Sequence, residues 1–195
     1  MENIRQSQQI LNRCGIQSID GSPDESHYAF HGPVENVSSL IAMCISILVR
    51  RGQTVSFAES FTGGMLSDLW HGEMDCRRAL RGTVAVSGED ASWSIVGISE
   101  IFLGNFGCCS REVAAAMANG VRDAFASDFS LAIAGNNFDG RGVRSAYLVI
   151  RTPTREVVQS LNFDANHASG RTLMRETACY ASCKILLQVL FEETA

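Results

Sequence analysis

Ser60 and Thr62 flank Phe61 and run into Gly63-Gly64, so two hydroxyls and two glycines fall within five residues. Before them lies an apolar run, Thr54-Val55-Ser56-Phe57, that reads as a buried strand. After them, Met65-Leu66-Ser67-Asp68-Leu69-Trp70 reads as the start of a helix. Glycines at a strand-to-helix turn let a ligand approach the backbone, and the first helical N–H groups attract an anion or an oxyanion. A serine placed there can act as a nucleophile once a neighbouring base takes its proton. The same string also suits an ordinary glycine turn with a Ser or Thr cap. Farther along, Arg171 and Arg175 stand four residues apart and project from one helix face. Two guanidinium groups suit a phosphate, and they suit salt bridges to an acidic surface equally well.

Other groups that could titrate are scattered. Glu89 and Asp90 could serve as general bases or could complement the dipole of a helix start. Glu59 could brace the turn. His31, His71 and His167 have no partner at a recognisable spacing and read as surface residues. The chain's one lysine, Lys184, falls well inside the C-terminal helical pattern. Seven cysteines form an odd set with no C-x-x-C or His-rich spacing, so no metal is expected; Cys44, Cys179 and Cys183 read as small buried hydrophobes. Net charge is −5, which gives no general attraction to nucleic acid or an anionic membrane. No apolar run reaches the roughly 18 residues of a membrane span, and Met1-Glu2-Asn3-Ile4-Arg5-Gln6 lacks a signal peptide's apolar segment, so a cytoplasmic protein is expected.

The elements that must position these groups follow from periodicity. Residues 1–36 are polar and broken by Gly21-Ser22-Pro23-Asp24 and His31-Gly32-Pro33, with a short helix conceivable from Ile4 to Arg13. From Val37 the pattern is regular, so a polar extension (1–36) and one domain (37–195) are expected. Leu40, Ile41, Cys44, Ile47 and Leu48 predict a helix that Gly52 ends. Val84-Ala85-Val86 predicts a second strand and Glu89 to Val96 a short helix. Ser110 predicts an N-cap for a helix inward-facing at Val113, Met117, Val121 and Ala124. The run Phe129 to Ala134 predicts an inner strand covered on both faces. Ala146 to Ile150 and Val157 to Phe163 predict a hairpin around Thr152-Pro153-Thr154-Arg155. A last helix starts near Arg171, with Met174, Ala178, Ala181, Ile185 and Val189 inward. Strands alternating with helices, then a hairpin, predict an α/β fold with helices on both faces of a mixed sheet.

The string Ala58-Glu59-Ser60-Phe61-Thr62-Gly63-Gly64 resembles the A-E-S-C-T-G-G motif of the CinA C-terminal family, whose active members are nicotinamide-nucleotide amidases. The resemblance runs from about Val37 to Leu190. Arg81-Gly82-Thr83-Val84 resembles the family's R-G-G-V, Val96-Gly97-Ile98 its L-G-V, and Gly107 to Ala114 its G-A-V-S-x-E-x-A. Gly170-Arg171 with Arg175 resembles the late G-D-R-x-x-x-R. The resemblance implies a three-layer α/β/α sandwich with a mixed, mainly parallel sheet and one antiparallel hairpin. It also implies a cytoplasmic homo-oligomer without a cofactor, Ser60 as nucleophile, and a nucleotide bound by Thr62, Gly63, Gly64, Gly135, Arg171 and Arg175, the arginines near its phosphate.

The chain departs from the family at several of these positions. Phe61 replaces the motif's Cys. The family's assisting Tyr and Lys, in T-Y-S-N-E-A-K, are Ser87 and Ser92 here, within Val86-Ser87-Gly88-Glu89-Asp90-Ala91-Ser92. Neutral hydroxyls cannot replace an amine that exchanges protons near pH 7. The family's T-G-x-A-G-P-x-G-G loop is Ala134-Gly135-Asn136-Asn137-Phe138-Asp139-Gly140, which alters the pocket. Cys108 and Cys109 fall at small apolar positions and read as packing residues. Two expectations stand side by side: an amidase, impaired or inactive, and a non-catalytic nucleotide-phosphate-binding or assembly module on the same fold.

Overall fold

The computed structural model describes residues 37–86, 91–135, 144–163 and 171–193. The first helix, α1 (Val37–Arg51), buries the expected stripe of Leu40, Ile41, Cys44, Ile47 and Leu48, with Ile45 added. Gly52 stops it at φ +64, donating to Val49 O at 3.2 Å while Gln53 N–H reaches Leu48 O at 2.9 Å. That pair of bonds satisfies the last helical carbonyls.

Then follow β1 (Val55–Glu59), α2 (Met65–His71), α3 (Cys76–Ala79) and β2 (Leu80–Ala85). A 3₁₀ turn (Ala91–Val96), α4 (Glu100–Phe106) and α5 (Arg111–Phe125) lead to β3 (Phe129–Gly135). The hairpin β4 (Arg144–Arg151) and β5 (Glu156–Phe163) precedes α6 (Arg171–Glu192). The sheet order is β2-β1-β3-β4-β5. β1 pairs parallel with both β2 and β3, while β4 pairs antiparallel with β3 and β5, so β4 alone runs against the rest. The fold is the expected mixed α/β sheet with helices on both faces.

Residue size decides what each face carries. On one face Val55, Phe57, Leu131, Ile133, Leu148 and Ile150 pack against α1, α2, α3 and α6. Trp70 is fully buried there, edge-on to Phe57 at 4.9 Å between centroids. The other face is built from Ala58, Ala132, Ala134 and Val149 and meets Val113, Met117 and Val121 of α5. Its small residues let α5 approach closely enough for Ser130 to donate to Ala118 O at 2.6 Å and Ser56 to Val121 O at 3.3 Å. Ser110 caps α5, accepting from Val113 N–H at 3.2 Å.

The second strand starts at Leu80, earlier than Val84, because its pairing with β1 begins at Val55 through an irregularity between Val55 and Ser56. α4 is absent from the periodic pattern because none of its residues is fully buried: Phe102 and Leu103 pack only partly on the core, and Ile101 and Phe106 are exposed. The conceivable helix from Ile4 to Arg13, with the whole extension, lies outside the described residues.

Candidate functional site

The carboxyl ends of β1 and β3 lie side by side, and the turn after β1 fills the gap between them. Ser60 N–H donates to Ile133 O at 2.9 Å and Phe61 N–H to the same oxygen at 3.2 Å, so the turn is anchored on β3. Half-buried Ser60 then faces Gly135. Its hydroxyl donates to Gly135 O at 3.5 Å and accepts from Gly135 N–H at 3.4 Å. Both contacts are long, and no described side chain bonds to Ser60 Oγ. Among the described residues, then, no side chain is in place to take the proton of Ser60, as a serine nucleophile requires.

Phe61 turns the other way, into the core. Its ring stacks on Phe163 with centroids 5.2 Å apart and planes 8° from parallel. Gly135 is what admits the ring. A Cβ there would lie 2.7 Å from Phe61 Cδ2, 2.8 Å from Ala146 Cβ and 2.9 Å from Ser145 O. Gly135 therefore serves Phe61 and Ser60 at once.

The N-terminus of α2 is filled by a group of the chain itself. Glu59 has no exposed surface, and its carboxylate accepts from Thr62 Oγ1 at 2.6 Å, Gly64 N at 3.0 Å, Leu66 N at 3.1 Å and Ser67 N at 2.9 Å. The Ser67 hydroxyl donates to it as well. Gly63 at φ +58 and Gly64 at φ +91 take left-handed conformations that curl the chain around the carboxylate. The sequence offered Glu59 as a brace. It did not reveal that this brace would consume the donors expected to meet a ligand. The signal was present in the hydroxyls of Thr62 and Ser67, which bracket the glycines.

Arg175 crosses from α6 to the same turn. Its Nε donates to Thr62 O at 2.8 Å and its Nη2 to the same oxygen. The guanidinium also packs on Gly63, where a Cβ would stand 3.5 Å from Nη2. Thr62 is thus held through its hydroxyl by Glu59 and through its carbonyl by Arg175, and it is fully buried. Arg171 opens α6, but its side chain lies outside the described residues. So do Ser87, Glu89, Asp90, the 136–140 loop, His31 and His167. Ser92 falls in the 3₁₀ turn, its side chain again outside them.

Lys184 is far from this turn. It lies nine residues beyond Arg175, about 13 Å along the helix axis, and burial lowers its pKa. His71 is exposed, its Nδ1 2.7 Å from Ser67 O. The two cysteines read as packing residues behave differently from each other. Cys108 is exposed, while half-buried Cys109 directs its thiol at Ser145 O, 3.3 Å away. Cys44, Cys179 and Cys183 are buried as expected. Burial pushes the Cys183 thiol up to about 12, against the pull of the Trp70 indole, so it stays protonated at neutral pH. Among the described residues no group of His, Cys, Asp and Glu is gathered to hold a metal ion, and no helix is long and apolar enough to cross a membrane.

The family described as CinA C-terminal domain matches residues 37–190, the whole of the periodic region. The chain belongs to this family. A CinA-like protein of Gloeobacter violaceus is 39% identical over 104 residues, 53% of this chain and 24% of that protein. A CinA-like protein of Acidobacterium capsulatum is 29% identical over 165 residues, 82% of this chain and 39% of that protein. The chain thus spans well under half the length of these relatives. Among solved structures, the competence or damage-inducible protein of Enterobacter asburiae superposes with a TM-score of 0.71 at 24% identity, covering 80% of this chain and 99% of its own. That likeness establishes the CinA fold.

Proposed function

We propose that this CinA-family domain binds a pyridine nucleotide monophosphate at the carboxyl ends of β1 and β3 and has lost most or all of the amidase chemistry related to it. The observation that carries this reading is Ser60 Oγ, whose partners are the N–H and carbonyl of Gly135 and no described side chain. Hydrolysis of a nicotinamide carboxamide needs the hydroxyl to attack the carbonyl carbon, a base to take its proton and an acid to release ammonia. The resemblance puts serines, Ser87 and Ser92, where the family carries the Tyr and Lys for those transfers.

Binding has separate support. Exposed Gly63 lies against the Arg175 guanidinium, so a phosphate at the turn would meet a fixed cation, with Arg171 one helical turn away. The turn is already shaped by Glu59 and Arg175, which lowers the ordering cost of binding. The domain then acts as a nucleotide-binding module within an oligomer, in the cytoplasm.

The test is a nicotinamide mononucleotide deamidation assay run beside calorimetry on the same preparation. Binding without ammonia release is expected. Robust turnover that disappears in Ser60→Ala would return the chain to the active amidases. Absence of binding at millimolar concentration would leave the arginines with a structural role only.

A further inference from the structure

A carboxylate without exposed surface is costly unless it is paired or fully hydrogen-bonded. Among the described residues Glu59 forms no ion pair. Arg175, whose guanidinium reaches the turn, is bonded to Thr62 O. What offsets the burial of Glu59 is three backbone N–H groups and two hydroxyls, all from the six residues Thr62 to Ser67 that lead into and begin α2. Helix N-terminal N–H groups favour a negative charge, and here the charge is covalently supplied by the preceding strand.

We propose that Glu59 is a positioning residue that acts as a built-in anion, occupying the N-terminus of α2 so that the Ser60 turn is fixed before any ligand arrives. A ligand phosphate therefore receives no donor from Gly64, Leu66 or Ser67 and is read by side-chain cations and the outer turn. The carbonyl of Glu59 accepts from Val86 N–H at 2.8 Å, so the same residue ties the turn to the end of β2. Ser60, the next residue, inherits its direction from both attachments. The proposal takes the Ser60 turn as the ligand site, as the functional reading does, but its test uses no nucleotide.

Thermal unfolding of wild type, Glu59→Ala and Glu59→Gln is measured in sodium formate and in sodium chloride of equal ionic strength. Formate is a carboxylate small enough for the space that the alanine variant opens. Glu59→Ala is expected to melt well below wild type and to recover a substantial part of the loss in formate but not in chloride. Wild type and Glu59→Gln, whose sites are filled, should show no formate-specific gain. An alanine variant as stable as wild type, or one that responds equally to both salts, overturns the proposal. Should Glu59→Ala give no folded protein, amide exchange in Glu59→Gln decides. Exchange at Leu66 and Ser67 is expected to quicken by about tenfold or more, because a neutral amide is a weaker acceptor and turns donors toward donors. Unchanged exchange overturns it. Failure of wild type to bind nicotinamide mononucleotide would sink the functional reading and leave formate rescue standing as a separate result.

Discussion

Phe61 sits beside the retained Ser60 and shows how one substitution ties a site to a core. In the family motif a small Cys occupies this position. Here the ring stacks on Phe163 and presses on Gly135, with 1% of its surface exposed. Restoring the family residue by Phe61→Cys should therefore destabilise the fold, by about 3 kcal/mol for a ring removed from a packed core. Chemical denaturation checks this, and a loss below about 1 kcal/mol would mean that the stack contributes little beyond ordinary surface burial. The opposing change is Gly135→Ala, whose methyl must displace Phe61, Ala146 and the Ser145 carbonyl at once. A drop in melting temperature of several degrees is expected, consistent with overpacking costs of about 1–3 kcal/mol. The chemistry has its own residue-level test. Ser87→Tyr with Ser92→Lys should raise ammonia release from nicotinamide mononucleotide above wild type, since these are the positions where the family groups are missing. No gain would place the loss elsewhere in the pocket.

Among the elements, α6 is fastened near both ends by charged groups. At its start Arg175 holds the Thr62 carbonyl, and at its finish Arg155, in the β4–β5 turn, pairs with Glu192 and Glu193. Arg175→Ala should weaken nucleotide binding by about tenfold or more, the value of a lost charge-assisted bond of roughly 1.5–3 kcal/mol. Calorimetry reads this directly, and unchanged affinity would confine Arg175 to bracing the turn. The far end predicts a pH dependence. Burial works to raise the Glu193 carboxyl, but donors from Thr152, Thr154 and Arg155 outweigh it and hold the pKa below the ordinary value. A carboxylate lowered in the folded state stabilises the fold above its unfolded pKa of about 4.3 and loses that contribution as pH falls through the folded value. Glu193→Gln should then lose less melting temperature than wild type between about pH 5 and pH 3. Equal losses would show that the contacts seen at this carboxylate carry no net stabilisation.

At the scale of the whole molecule, what could be read from the sequence divides along physical lines. Elements with a buried face were legible: α1 from its apolar stripe, β3 from its continuous run, the hairpin from its polar turn, α5 from Ser110. α4 was not, because it only half-buries Phe102 and Leu103 and leaves Ile101 and Phe106 exposed, so no apolar stripe marks it. At the site, Ser60, Thr62 and the glycines were legible as a turn. The meeting of Glu59 with the N–H groups of Gly64, Leu66 and Ser67 was not, because backbone donors carry no residue-type signature; only the hydroxyls of Thr62 and Ser67 marked it. Among the described residues, both core clusters run from Leu40 to Leu190. The periodic pattern that begins near Val37 is what bears on the polar extension. Deleting residues 1–30 should leave a folded domain that melts cooperatively, since the periodic core begins near Val37 and the segment before it is polar. The extension still carries four apolar residues, Ile4, Ile10, Leu11 and Ile16, of which Ile4 and Leu11 are seven apart, as on one face of a helix. A large fall in melting temperature, or insoluble product, would therefore assign those four side chains a place against the domain or against a second copy. Sedimentation of the full chain and the truncated one separates these two outcomes. A fall in stability with unchanged mass means contact within the chain, and a fall in mass means that the extension joins subunits.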